Sequence, residues 1–227
     1  MKTKIYNYLT KPYIVVLTML IAPLFGFIDR NFVFFFGLGV AFLILWGSSF
    51  DWSRFGIGKK ITKKTVLKSV LLTLIFLVGF YFIIDPILQL YLGDFDLSSL
   101  EDIRGNFMGY FILMVVMWVF AAFGEEFLFR GYYMKALAEL LGNSNKAWLF
   151  SAFITSVYFG VSHGYQGIVG IVGGFLWSFF ISMIFNKNRN NLLLLVLIHG
   201  LFDTVGITLL YLNKDHIISD WVQQMFN

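Results

Sequence analysis

Runs of 16 to 21 residues with almost no charge recur seven times along this chain, at 13–28, 32–47, 66–84, 107–127, 147–163, 168–185 and 192–212. A helix needs on the order of 20 apolar residues to cross a hydrocarbon core of about 30 Å. Backbone polar groups in lipid must be satisfied within the segment, so such runs are read as helices. The expected fold is therefore all-α, a polytopic transmembrane bundle of about seven spans, with six or eight as the bounds. Composition supports this: 59% of the 227 residues are hydrophobic and 13% are charged, against about 45–50% and about 25% in soluble domains. That excess is too large for a water-soluble core to hide, and membrane lipid is the first partner implied.

Charge placement gives an orientation. With the N-terminus in the cytoplasm, every Lys and Arg except Arg30, Arg104 and Lys214 falls on the inner side, as the positive-inside rule requires. A bacterial cytoplasmic membrane is the expected location. The net charge of +4 is explained by these topology determinants beside anionic lipid, so no nucleic-acid partner is expected. The absence of cysteine excludes disulfides and thiolate-ligated metal centres. The first run is flanked by lysines like a secretion signal, but it is long and no small-residue cleavage pattern follows, so an uncleaved helix is expected. Residues 128–146 are expected to continue the fourth span as a more polar helix at the inner interface, broken at Gly142-Asn143-Ser144-Asn145. Residues 213–227 form a short tail.

Few ionisable groups lie inside or at the ends of the spans, and each is costly there unless it faces a partner or a cavity. Glu125 and Glu126 end the fourth span as drawn, His163 ends the fifth, and His199 and Asp203 lie within the seventh. Glu126 and Arg130 are four residues apart and share a helix face, so they can pair. Glu125 points about 100° away from Glu126. His199 and Asp203 are again four apart, so the carboxylate can orient the imidazole. Each feature alone has a structural explanation in ion pairing or interhelical hydrogen bonding. Together they argue for a shared polar cavity. On these boundaries Glu125 lies near the inner end of its span and His163 near the outer end of its own. One site then requires the fourth span to sit lower or the fifth to begin deeper.

The stretch Gly124-Glu125-Glu126-Phe127-Leu128-Phe129-Arg130 resembles the Glu-Glu-x-x-x-Arg motif of the CAAX-protease and bacteriocin-processing (CPBP, or Abi) family. Phe159 and His163 match its Phe-x-x-x-His motif. His199 and Asp203 match its third motif, His followed four residues later by Asn or Asp. The resemblance covers about residues 107–212 as a catalytic membrane core, whereas 1–106, with the N-terminal helices and an acidic outer loop, carry no signature. It implies an intramembrane endopeptidase, a metallopeptidase by family assignment, acting on a lipidated or membrane-associated protein or peptide. It also implies roles. Glu125 is the general base that activates water, and Glu126 and Arg130 position it. His163 and His199 donate to the oxyanion or, with Asp203, ligate a divalent metal such as zinc.

Two rivals follow from the same residues. Gly160-Val161-Ser162-His163-Gly164 formally fits G-x-S-x-G, which would make Ser162 a nucleophile, but that motif needs a strand-to-helix elbow. Neither H-E-x-x-H nor G-x-G-D occurs in the spans. A non-catalytic scaffold, acting as a regulator in signalling or bacteriocin immunity, would carry the same residues. A transporter is disfavoured because the two halves show no matching repeat.

Overall fold

The computed structural model describes residues 2–224, and among these there is no strand, only an isolated bridge between Ile57 and Asn191. The last residues of the expected tail, 225–227, lie outside the described residues. The helices are α1 (Lys2–Leu9), α2 (Pro12–Ile21), α3 (Arg30–Gly47), α4 (Lys63–Gly79), α5 (Asp85–Leu92), α6 (Phe107–Val116), α7 (Lys135–Leu140), α8 (Asn145–Ser162), α9 (Gly167–Lys187), α10 (Leu192–Tyr211) and α11 (Ile217–Gln224). Wide π turns join α4 to α5 over Phe80–Ile84, and α6 to α7 over Met117–Met134.

Helix starts follow local capping chemistry. Side chains of Asp29, Thr62, Asn106 and Ser144 accept hydrogen bonds from the backbone N–H groups of Asn31, Thr65, Gly109 and Ala147, each satisfying a donor that the first helical turn leaves open. The expected break after the fourth span is present. Gly142 and Asn143 adopt φ of 89° and 55°, a left-handed conformation that suits glycine and is tolerated by asparagine.

Five helical segments are long and apolar enough to cross a membrane: Arg30–Gly47, Lys63–Leu92, Phe107–Leu140, Gly164–Lys187 and Leu192–Tyr211. The bent pair Lys2–Leu9 and Pro12–Phe27, with an 80° bend, makes a sixth. The expected seven differ from these six in one place. The bend of the N-terminal pair falls before Pro12, outside the expected first span of 13–28. The expected fifth span, α8, begins with Asn145-Lys146 and carries Ser151, Thr155 and Ser156, all at most 1% exposed, so it is less apolar than the others. Only 17% of the most apolar window of Lys63–Leu92 is buried inside the protein. A helix this apolar and this bare needs lipid around it. The chain is an integral membrane protein.

Two compact units are formed. The first comprises Met1–Lys60, Gly124–Thr155 and Ser182–Leu193. Its core stacks Phe127 against Phe55, with ring centroids 4.5 Å apart, and against Phe42 at 5.1 Å. The second comprises Ile61–Phe123, Ser156–Ile181 and Leu194–Asn227. Its core gathers Met117, Ala122 and Val196, while Trp177 packs on Phe202 at 4.3 Å and on Phe80 at 5.5 Å.

In the second unit α8 and α9 approach closely at two glycines. A Cβ on Gly160 would lie 2.5 Å from the Ile171 carbonyl oxygen and 2.9 Å from Phe175 N, and one on Gly174 would lie 3.4 Å from Gly160 Cα. Such small-residue seams let backbones touch in a membrane. Gly160→Ala is expected to destabilise the protein by about 1–3 kcal/mol, because the obstacle is backbone and cannot rotate away. A lowered melting temperature in detergent checks this.

An ion-pair clasp closes the same unit outside the spans. Arg104 donates to Asp215 through Nη1 at 2.6 Å and Nη2 at 2.9 Å, and to Glu101 through Nε at 2.8 Å. Hydrogen bonding from Arg104 holds the Asp215 carboxyl below its usual range. A depressed native pKa gives stability that is present above the unfolded value near ~3.9 and lost as pH falls through the native one. Gly105 N–H, bonded to the Tyr211 carbonyl at 2.9 Å, should therefore keep its hydrogen-exchange protection from neutral pH down to about pH 4 and lose it below. Asp215→Asn should show that loss already at neutral pH.

Candidate active site

Within the first unit the segment Gly124–Met134 places its charges in a dry environment. Glu126 and Arg130 are each 0% exposed, and Arg130 Nη1 donates to Glu126 Oε1 at 2.9 Å. The guanidinium Nε donates to Ser182 Oγ at 3.3 Å, and Ser182 is itself fully buried. Removing two charges from water costs several kcal/mol per ion, so the pair persists only through such bonds. Gly131 follows because a Cβ there would stand 3.0 Å from the Phe55 carbonyl oxygen. Glu125, half-buried, lies within electrostatic reach of the same guanidinium. Two neighbouring carboxylates thus have different surroundings.

These residues sit in the middle of their helix and not at its end. The helical segment runs from Phe107 to Leu140, 34 residues, so the helix continues past residue 127 as expected. Within the continuation Leu128, Phe129, Tyr132, Tyr133, Met134, Leu137 and Ala138 are all at most 7% exposed.

Within the second unit α10 presents His199, 4% exposed, whose Nε2 lies 3.3 Å from Asp203 Oδ2. The carboxylate can only accept, so Nε2 carries the hydrogen and the ring is fixed in one tautomer. Trp177 of α9 meets the His199 ring edge-to-face at 5.6 Å. His163 stands just past the end of α8. Its Nδ1 donates to the Phe159 carbonyl at 2.8 Å, and its ring stacks on Phe159 at 4.4 Å. The neutral ring therefore presents Nε2 as an acceptor.

Ser162 has a structural occupation. It closes α8, and its hydroxyl donates back to the Phe159 carbonyl at 2.6 Å, an ordinary helical back-bond. No strand precedes it, so the elbow that a serine nucleophile requires is absent among the described residues.

The structure brings Glu126 to Arg130 with Glu125 beside them in the first unit, and His199 to Asp203 in the second. Two supporting residues escaped sequence reasoning, Ser182 on Arg130 and Trp177 on His199. Both come from α9, and no local spacing connects that helix to either partner.

Residues 107–205 match the family described as type II CAAX prenyl endopeptidase Rce1-like. The match covers a little under half of the chain. All six expected site residues, from Glu125 to Asp203, fall inside the Rce1-like segment, and residues 1–106 precede it. The family is one of CAAX-type intramembrane proteases. No curated protein and no solved structure matches the chain. A divalent metal with His163, His199 and Asp203 as donors does not fit the observed arrangement of the Rce1-like segment. Among the described residues no three His, Asp or Glu side chains gather as a ligand group, and His199 Nε2 is directed at Asp203.

Proposed function

We propose that the protein is a membrane endopeptidase that cuts a lipidated or membrane-associated protein or peptide by glutamate-activated water, in a bacterial cytoplasmic membrane with its N-terminus inside. The observation that carries this reading is the contrast between the two adjacent carboxylates. Glu126, 0% exposed, is bonded to Arg130, while Glu125 is half-buried next to it on an apolar helix. Neighbouring carboxyls with unlike surroundings are how one site supplies both a fixed charge and a proton acceptor. The basic residues on the short connections support the orientation.

In this mechanism Glu125 takes a proton from water as the oxygen bonds to the scissile carbonyl carbon. The carbonyl oxygen becomes an oxyanion, a charge that hydrogen-bond donors must stabilise. Collapse of the tetrahedral intermediate breaks the C–N bond, and Glu125 returns its proton to the leaving nitrogen. Glu126 and Arg130 position Glu125.

Comparative peptidomics of cells carrying Glu125→Gln against cells carrying the intact protein tests this reading. Substrate precursors should accumulate and their cleaved products disappear, with normal protein levels in the membrane. Unchanged products would leave the scaffold reading in place.

A further inference from the structure

An open cleft of about 50 Å³ lies within the first unit, its lining passing through Gly131, Tyr132 and Lys135, which follow Arg130 in the chain. Its lining combines two chemistries. Lys11, Arg54 and Lys135 supply three cations against one carboxylate, Glu139. Beneath them Val15, Ile44 and Phe55, each at most 2% exposed, make an apolar floor. Asp51 is near, but its carboxylate is tied to the Ser53 hydroxyl and backbone N–H in its own turn.

The cations are held in place. Arg54 Nη1 donates to Tyr6 Oη at 2.8 Å, one of five N–H groups in the guanidinium fork. Lys135 Nζ donates to the Ser53 carbonyl at 3.4 Å. All three sit where apolar helices end. Lys11 immediately precedes α2, Arg54 lies in the turn after α3, and Lys135 lies five residues from the end of the Phe107–Leu140 segment. A lipid headgroup occupies that depth, with phosphate level with the cations and glycerol and acyl carbons beside the apolar floor.

We propose that this cleft is a binding site for the phosphodiester headgroup of an anionic lipid. The combination of a planar, multi-donor Arg with two Lys suits phosphate oxygens. The apolar floor selects a lipid over a free phosphate, which has nothing to place there.

The test uses the full-length protein in nanodiscs made from equal parts phosphatidylglycerol and phosphatidylcholine, with retained lipid measured after detergent extraction. The intact protein should retain phosphatidylglycerol in preference. Arg54→Gln with Lys135→Gln should lower that preference about tenfold, whereas Lys63→Gln with Lys64→Gln removes equal charge elsewhere and should change it less than about twofold. Arg54→Lys with Lys135→Arg keeps the charges and should retain the preference, which separates lost binding from lost folding. Equal retention by the Gln pair and the intact protein would overturn the proposal. So would displacement of the lipid by millimolar glycerol phosphate, which would make the site one for a soluble phosphate.

Discussion

Arg130→Ala is expected to strip most of the folded protein from the membrane. The substitution leaves Glu126 charged in a site where it is 0% exposed, and breaking a buried pair by removing one partner costs about 3–5 kcal/mol. Against a total stability of about 5–15 kcal/mol that is a large loss. It also removes the bond to Ser182 and empties the volume of the largest fully buried side chain. The reverse truncation, Glu126→Ala, should be as damaging for the same reason. Replacing both, Glu126→Leu with Arg130→Met, removes the charges together and should restore much of the membrane level, since buried pairs are often exchanged for apolar residues at little cost. Immunoblotting of membranes and melting in detergent check all three. Recovery of folding without recovery of cleavage would show that the pair serves the chemistry as well as the packing.

Glu125→Gln should give the opposite profile. Gln is isosteric and Glu125 is only half-buried, so folding should be preserved. Loss of a general base lowers rates by about 10²–10⁴-fold. The expected result is a normal melting temperature with turnover reduced by that factor and substrate binding little changed. A Gln variant that cleaves within tenfold of the intact protein would remove Glu125 from the mechanism. The two experiments separate positions that adjoin in the chain: one carboxylate fails by unfolding, the other by inactivity.

The class of fold was legible because lipid imposes a simple requirement on backbone polarity, and long apolar runs meet it in one way. Gly142-Asn143 was equally legible, since left-handed backbone has few acceptable occupants. The pairing of Glu126 with Arg130 was legible as a spacing, but its complete burial was not, because single charges are expensive in lipid and only the bond between the two carries them inside. The polar residues of α8 altered the span count, since a reading of apolar runs passes over them. Ser182 and Trp177 were invisible for a different reason. Periodicity reports which face of a helix is apolar, but not which residue of a distant helix will stand opposite an arginine or an imidazole.

The Phe159 carbonyl accepts from both Ser162 and His163. Since that anchor belongs to the main chain, no change of side chain at residue 159 can delete it. Phe159→Ala would remove the stacked ring while the imidazole stayed tethered, so alanine scanning will understate how tightly this histidine is aimed. Replacing the amide that carries the oxygen, by an ester introduced at residue 160, weakens the acceptor itself and would expose the hold that conventional mutagenesis misses.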